Sequence, residues 1–490
     1  MSTVQSEKNV EQQPELPQEP APQAGERPKF GYRHPLFQIF LVSFICFACP
    51  GMYNALTGLG GGGQIDATTA DRGATALYST FAVMSFFGGS FVNKLGPNIA
   101  LTIGTAGYTL YIGSFLSYNI NGDGKFNIAA GAILGVCAGL LWTAQGVLML
   151  AYSTEESKGR FIAVFWAIFN VGAVIGAAVP LGHYIHSLEK TNVDNNIYIA
   201  FIVITGLGVA TTFALARPST VRRVDGTQAV VPVSQSWVVE IVNVGRTIVK
   251  DPYVIFLFPF FAASNWFYTW QFNAYNGAFF NTRAGALNNL LYWLSQIIGA
   301  GVMGLFLDFK GLRRRVRAFG GWVILFTIIM VVWGGNWAVQ KTYTRESISH
   351  DPPVNYKGED IKDKGYAGHA ILYVFNGISD AAWQTYAYWV IGAISNNARK
   401  IAVLVGMYKG LQSGAAAVGW HIDGIKVPYV NIFGSTWGLL AGGLFIALPM
   451  IYYRVKDHTD PEDDELGGVD ASGHKVDEHR HVRDDSSNEK

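Results

Sequence analysis

The chain has 490 residues, half of them hydrophobic and only 14% charged, with a formal net charge of +1 at pH 7. Ordinary soluble chains carry about 25% charged residues, so this composition excludes a typical water-soluble globule. The balanced charge gives no reason to expect a nucleic-acid partner. The chain reads as an all-α membrane protein whose first partner is the lipid bilayer.

Residues 1–34 begin with a stretch rich in Pro, Gln and Glu and lack the apolar core of a cleavable signal, so they are expected to form a disordered cytosolic tail. Apolar runs follow near 36–57, 74–93, 99–117, 127–151, 161–186 and 197–216, and again near 253–276, 286–307, 318–338, 368–394, 401–422 and 430–453. Each is close to the ~20 residues that cross a bilayer. Twelve transmembrane helices in two six-helix halves, 35–216 and 253–454, are therefore expected. The connection 217–252 is a cytosolic linker. Its segment Trp237-Val-Val-Glu-Ile241-Val-Asn-Val244-Gly-Arg-Thr-Ile248 repeats apolar residues at helical spacing, which fits either an interfacial helix on the membrane or a partly buried linker helix. Residues 455–490 form an acidic, His-rich tail, expected to be disordered and cytosolic. Its His458, His474, His479 and His481 read as solvated residues before they read as a metal site.

With the N-terminus in the cytosol, twenty Lys and Arg flank the spans on that side and ten on the other, half of those ten within 339–367. Both termini are therefore expected in the cytosol. Cys46, Cys49 and Cys137 all fall inside expected spans and predict no disulfide framework. Gly58-Leu-Gly60-Gly-Gly-Gly63 matches a dinucleotide fingerprint in spacing, but it follows a membrane helix rather than a strand. It reads as a flexible extracellular turn at an outer gate.

A polar turn occurs twice, 215 residues apart: Gly89-Ser-Phe-Val-Asn93-Lys94-Leu-Gly96-Pro97-Asn98 and Gly304-Leu-Phe-Leu-Asp308-Phe-Lys-Gly311-Leu-Arg313-Arg314. Each follows one apolar run and precedes the next, as an internal duplication requires. Asn93 and Asp308 are expected to accept hydrogen bonds from the exposed N–H groups of the next helix. Lys94, Arg313 and Arg314 are expected to hold carboxylates or helix C-termini of the partner half. Together these residues form an expected cytosolic gate.

Well inside the spans lie one acid, Asp380, and one base, Lys409, on consecutive antiparallel helices. Burying either alone costs several kcal/mol. They are expected to face each other and pair, as a coupling or gating pair or as a static structural one. Asn376, Asp380, Trp383, Gln384 and Ala387 share one helix face, and Lys409, Gln412, Ser413 and Trp420 another. With Asn54, Trp142, Gln145, Asn170, Trp270 and Asn273 they are candidates for the lining of a substrate pathway. A lining of Trp and amide groups suits a small, weakly charged or aromatic solute. Interhelical hydrogen bonding and interface aromatics are the alternative reading of each residue. No catalytic constellation is present, so no enzyme activity, cofactor or metal is expected.

The second polar turn resembles the loop motif of the major facilitator superfamily, Gly-x-x-x-Asp-x-x-Gly-x-Arg-Arg, at every position. Asn54-Ala-Leu-Thr-Gly-Leu-Gly-Gly-Gly-Gly-Gln64, Ala76-Leu-Tyr-Ser-Thr80, Asn93-Lys-Leu-Gly-Pro97, Gly139-Leu-Leu-Trp142-Thr-Ala-Gln145-Gly and Phe165-Trp-Ala-Ile-Phe-Asn170 resemble its Unc-93-like branch. The resemblance is strongest over 35–216 and weaker over 253–453, and it looks most like the fungal members of the branch. It implies the facilitator fold and a secondary transporter of an unidentified small solute or ion. Some relatives regulate channels or act as trafficking scaffolds, so its alternative implication is a non-transporting regulator or scaffold with a membrane-protein partner. Asn93 in place of Asp fits the second implication.

Overall fold

The computed structural model describes residues 30–229, 231, 237–350, 352–395 and 398–457. Residues 1–29 and 458–490, including the four histidines from His458 onward, lie outside the described residues. The described chain is nearly all helix. Its elements are α1 (Pro35–Ala48), α2 (Pro50–Gly58), α3 (Thr68–Leu95), α4 (Pro97–Asn121), α5 (Lys125–Tyr152), α6 (Glu155–Tyr184) and α7 (Asn195–Thr212). After the linker helix α8 (Trp237–Lys250) come α9 (Phe258–Tyr268), α10 (Thr282–Leu307), α11 (Arg314–Gln340), α12 (Tyr366–Ile394), α13 (Ala398–Gly424) and α14 (Tyr429–Arg454).

The duplication is visible in the packing. In the first half α3 lies on α5, α4 on α7 and α1 on α6; in the second, α10 lies on α12, α11 on α14 and α9 on α13. The halves meet along two seams, α3 with α13 and α6 with α10. Residues such as Val83, Val203, Leu207, Val302, Leu305 and Val331 are exposed on the outside of the bundle. Water would not tolerate so apolar a surface, and acyl chains would.

Ten helices among the described residues are long and apolar enough to cross a membrane, and the count reaches eleven only if the bent pair Ile241–Lys250 with Pro252–Gly277 is taken as one span. The remaining expected span, α12, is 29 residues long. It falls short in hydropathy because Asn376, Ser379, Asp380 and Gln384 interrupt its middle, so its polarity belongs to the site described below.

Two expected spans depart from regular helix, and one expectation needs correction. The first span, Pro35–Thr57, is irregular at its middle: Pro50 has no N–H to continue the helical ladder, so regular helix stops at Cys49 and resumes as α2. The seventh span starts as a 3-10 turn (Pro252–Leu257), passes through α9 and ends as a π-helical stretch, Thr269–Gly277. The glycine run is no loose turn. Gly60 to Gly63 all have φ between 55° and 84°, which side chains resist. A Cβ on Gly60 would overlap the Phe272 carbonyl, so the turn is packed directly onto the π-helical stretch.

Candidate functional site

The polar residues of α12 point into the C-terminal half and organise its core. Asp380 is 1% exposed. Its Oδ2 accepts a hydrogen bond from Gln296 Nε2 (2.7 Å) and lies 3.0 Å from the Tyr292 hydroxyl. Its Oδ1 accepts from Gln384 Nε2 at 3.4 Å, and the Tyr268 hydroxyl lies against the same carboxyl group.

The expected direct pair with Lys409 does not form. Lys409 Nζ donates instead to Gln412 Oε1 (2.8 Å), and Gln412 Nε2 donates to Gln384 Oε1 (3.1 Å). Two amides therefore stand between base and acid. Asn265 Oδ1 accepts from both of them, at 3.2 Å from Gln384 and 2.9 Å from Gln412. The Tyr408 hydroxyl donates to Gln384 Oε1 (2.7 Å), and the Lys409 ammonium lies 5.0 Å and 5.4 Å from the Tyr408 and Tyr388 ring centroids. Neutral donors and aromatic faces can hold each charge without direct contact between them.

Of the other expected pathway residues, some join this network and some do not. Asn376 pairs reciprocally with Asn336 (2.8 and 3.1 Å) and accepts from Gln271 (3.2 Å), which places it beside the Asp380 cluster. Trp383 is fully buried against Phe260, and Trp270 packs among Trp333, Tyr275 and Phe433 with its indole N–H on Gln340. Both tryptophans belong to packing inside the C-terminal half. Asn54, Gln145 and Asn170 are half-buried on α2, α5 and α6, and Trp142 sits edge-on to Phe169.

Asn273 does something the sequence did not suggest. Its Oδ1 accepts from Gly61 N–H (2.8 Å), and its Nδ2 donates to Asp71 of α3 and to Asp423 of α13, both at 2.7 Å. Asp423 is held in turn by Arg345, whose guanidinium covers the Tyr429 ring at 3.8 Å. Around this knot, Asn276 donates to Gly58 O (2.9 Å) and Asn289 to Ala55 O (2.7 Å), while Lys190 donates to Gly277 O and Phe280 O. Thr191 N–H donates to Thr282 (3.0 Å). Side chains of both halves thus close one end of the bundle. Asp71 and Asp423 sit at helix ends where an expected span had not begun or had just stopped.

The two polar turns mark the opposite end, and their expected chemistry changes. The N-cap residues of α4 and α11, Gly96 and Arg313, make no side-chain cap, and the carboxylate bonded to the first turn of α11 is that of Asp457 rather than Asp308. In the first turn Gly96 has φ 81° and ends α3, Lys94 is exposed, and Asn98 donates to the carbonyl of Ala216 (3.1 Å) beyond α7. In the second, Asp308, Gly311 and Arg313 are exposed. Arg315 N–H is capped by Asp457 (3.0 Å), and the Arg315 side chain reaches the Tyr452 carbonyl near the end of α14 (3.3 Å). These bonds stay within one half. Among the described residues no group of His, Cys, Asp and Glu has the arrangement to hold a metal ion.

With this geometry in view, comparison with known proteins is decisive about family. The family model described as "Ion channel regulatory protein UNC-93" matches residues 61–445. The chain belongs to the UNC-93 family. It is 43% identical over 456 residues to UNC93-like protein C922.05c of Schizosaccharomyces pombe, covering 93% of this chain and 90% of that protein. It is 38% identical over 436 residues to UNC93-like protein 1 of Arabidopsis thaliana, covering 89% of this chain and 94% of the relative. Among solved structures, a D-xylose-proton symporter superposes with a TM-score of 0.54 at 12% identity, over 86% of this chain and 99% of that one. At that identity the likeness concerns the fold alone. This UNC-93 family member is a multi-pass membrane protein of major facilitator fold.

Proposed function

We propose that the protein is a secondary transporter of a small solute or ion, working by alternating access with Asp380 as the coupling group. One observation supports this above the others: a carboxyl group buried mid-helix, held only by uncharged donors and joined to Lys409 through Gln384 and Gln412. Carboxyl groups at such depth default to roles in ion or proton pathways. In this reading both termini face the cytosol and the end closed by Asp71, Asn273 and Asp423 faces outward. Gly89, Asn93, Lys94 and Gly96, with Gly304, Asp308, Gly311, Arg313 and Arg314, then lie at the inner gate.

The test has two stages. A thermal-shift screen of small solutes on detergent-purified protein identifies a ligand, since binding to the folded state raises the unfolding temperature. Uptake of that solute into liposomes is then followed across pH. Asp380→Asn should abolish the pH dependence while leaving the protein folded. Full uptake with an unchanged pH profile in that variant overturns the coupling role. A second reading, a regulator or trafficking scaffold of another membrane protein, is favoured by the family's description as ion channel regulatory. Silence across the solute screen together with one stoichiometric co-purifying membrane protein would replace the first reading by this one.

A further inference from the structure

The linker helix α8 is amphipathic in the opposite sense to a helix on a soluble protein. The side it turns toward the bundle carries Asn243 and Thr247, one turn apart and only 7% and 2% exposed. Asp251, one turn further, is buried and ion-paired with Arg454 (3.0 Å). Its outer side carries Val238, Val239, Ile241, Val242 and Val249, all exposed, Val249 to 80%. A water-facing helix would place these the other way round.

Three further observations say what covers the outer side. The axis of Ile241–Lys250 is bent by 107° from that of Pro252–Gly277, so α8 runs across the bundle axis, parallel to a membrane plane rather than through it. The apolar surface continues into exposed Ile255 and Phe256 on the segment that enters the seventh span. Arg246 and Lys250 are exposed one turn apart at the flank of the apolar arc, where basic side chains meet headgroups. In the bundle α8 contacts both α3 and α13, the two helices of the longer seam between the halves.

We propose that α8 is a lipid-held brace across that seam: its valines and Ile241 enter the acyl layer, Arg246 and Lys250 take anionic headgroups, and its polar side grips α3 and α13. The assignment does not depend on whether the protein transports or regulates.

The test uses the full chain in lipid nanodiscs. Val242→Cys and Val249→Cys are labelled with bimane; the native cysteines are buried and stay unlabelled. A phosphatidylcholine with a nitroxide at a shallow acyl position should quench both labels several-fold more than aqueous iodide does. Stronger quenching by iodide overturns the proposal, and so does protection from both quenchers, which would mean that a second copy or a protein partner covers the face. Separately, adding phosphatidylserine to phosphatidylcholine discs should raise the unfolding temperature, and the double substitution Arg246→Glu and Lys250→Glu should reduce that gain. An undiminished gain removes the headgroup contact.

Discussion

The two halves share one architecture and differ in the polar networks that fill it. In the N-terminal half the helices approach through glycine. A Cβ on Gly131 would overlap the Gly73 carbonyl, one on Gly135 the Leu77 carbonyl, and one on Gly104 would come within 2.8 Å of the Cys137 carbonyl. Close backbone approach of this kind is the usual way to bind apolar helices in lipid, where no hydrophobic force drives them together. The C-terminal half uses such approaches too, at Gly299 against Ile378 and Gly377 against Tyr292, and adds side-chain networks: the Asp380–Gln384–Gln412–Lys409 relay, the Asn336–Asn376 pair, and rings such as Trp270, Trp333 and Phe433. A duplicated fold therefore constrains helix crossings without constraining what fills them. The C-terminal copy adds the relay that joins Asp380 to Lys409.

Substitutions can break this contrast, and their expected effects descend in size. Asp423→Ala leaves Arg345 without its carboxylate at the closed end and should cost about 3–5 kcal/mol, as breaking a buried pair does; thermal unfolding in detergent measures it. Gly131→Ala adds one methyl group against the α3 backbone and should cost about 1–3 kcal/mol by overpacking. A loss below that range in the same assay would mean that the first half is less tightly packed than the contrast requires. Asp360 is held well below the usual carboxylate range by hydrogen bonds from Arg283, at 2.6 Å to each oxygen. Its contribution is therefore present at neutral pH and fades as acid protonates it. Asp360→Asn should lower stability by about 1–2 kcal/mol at pH 7, with the difference from the native chain shrinking below about pH 4. Asp308→Ala should change stability by under about 0.5 kcal/mol, because the exposed carboxylate caps no helix. A larger loss would restore the capping role expected from the motif.

Much of the fold was legible because it depends on period and composition. Runs of apolar residues near bilayer length mark the spans, and the repeated turns at Gly89 and Gly304 mark the duplication. The break at Cys49–Pro50 was also readable from Pro50 and was missed because mean hydropathy stays high across it. At the site, Asp380 and Lys409 stood out as charges inside apolar helices, and their separation by Gln384 and Gln412 did not. Two antiparallel helices bring residues into register only when their relative depth and rotation are set, and hydropathy fixes depth to no better than a turn of helix. Asn273 was named as a pathway residue, yet it closes an end of the bundle, since the π-helical stretch turns it toward α3 and α13.

By itself the amino-acid order determined the membrane class, the two-half plan and the presence of one deep acid and one deep base. Each is a local property: backbone groups in lipid must bond within their own helix, so length and apolarity suffice to place it. The tertiary structure alone decided which polar groups meet. The amides between Asp380 and Lys409, the knot of Asp71, Asn273 and Asp423, and the inverted face of α8 all join residues far apart in the chain, and such contacts exist only once the helices have docked.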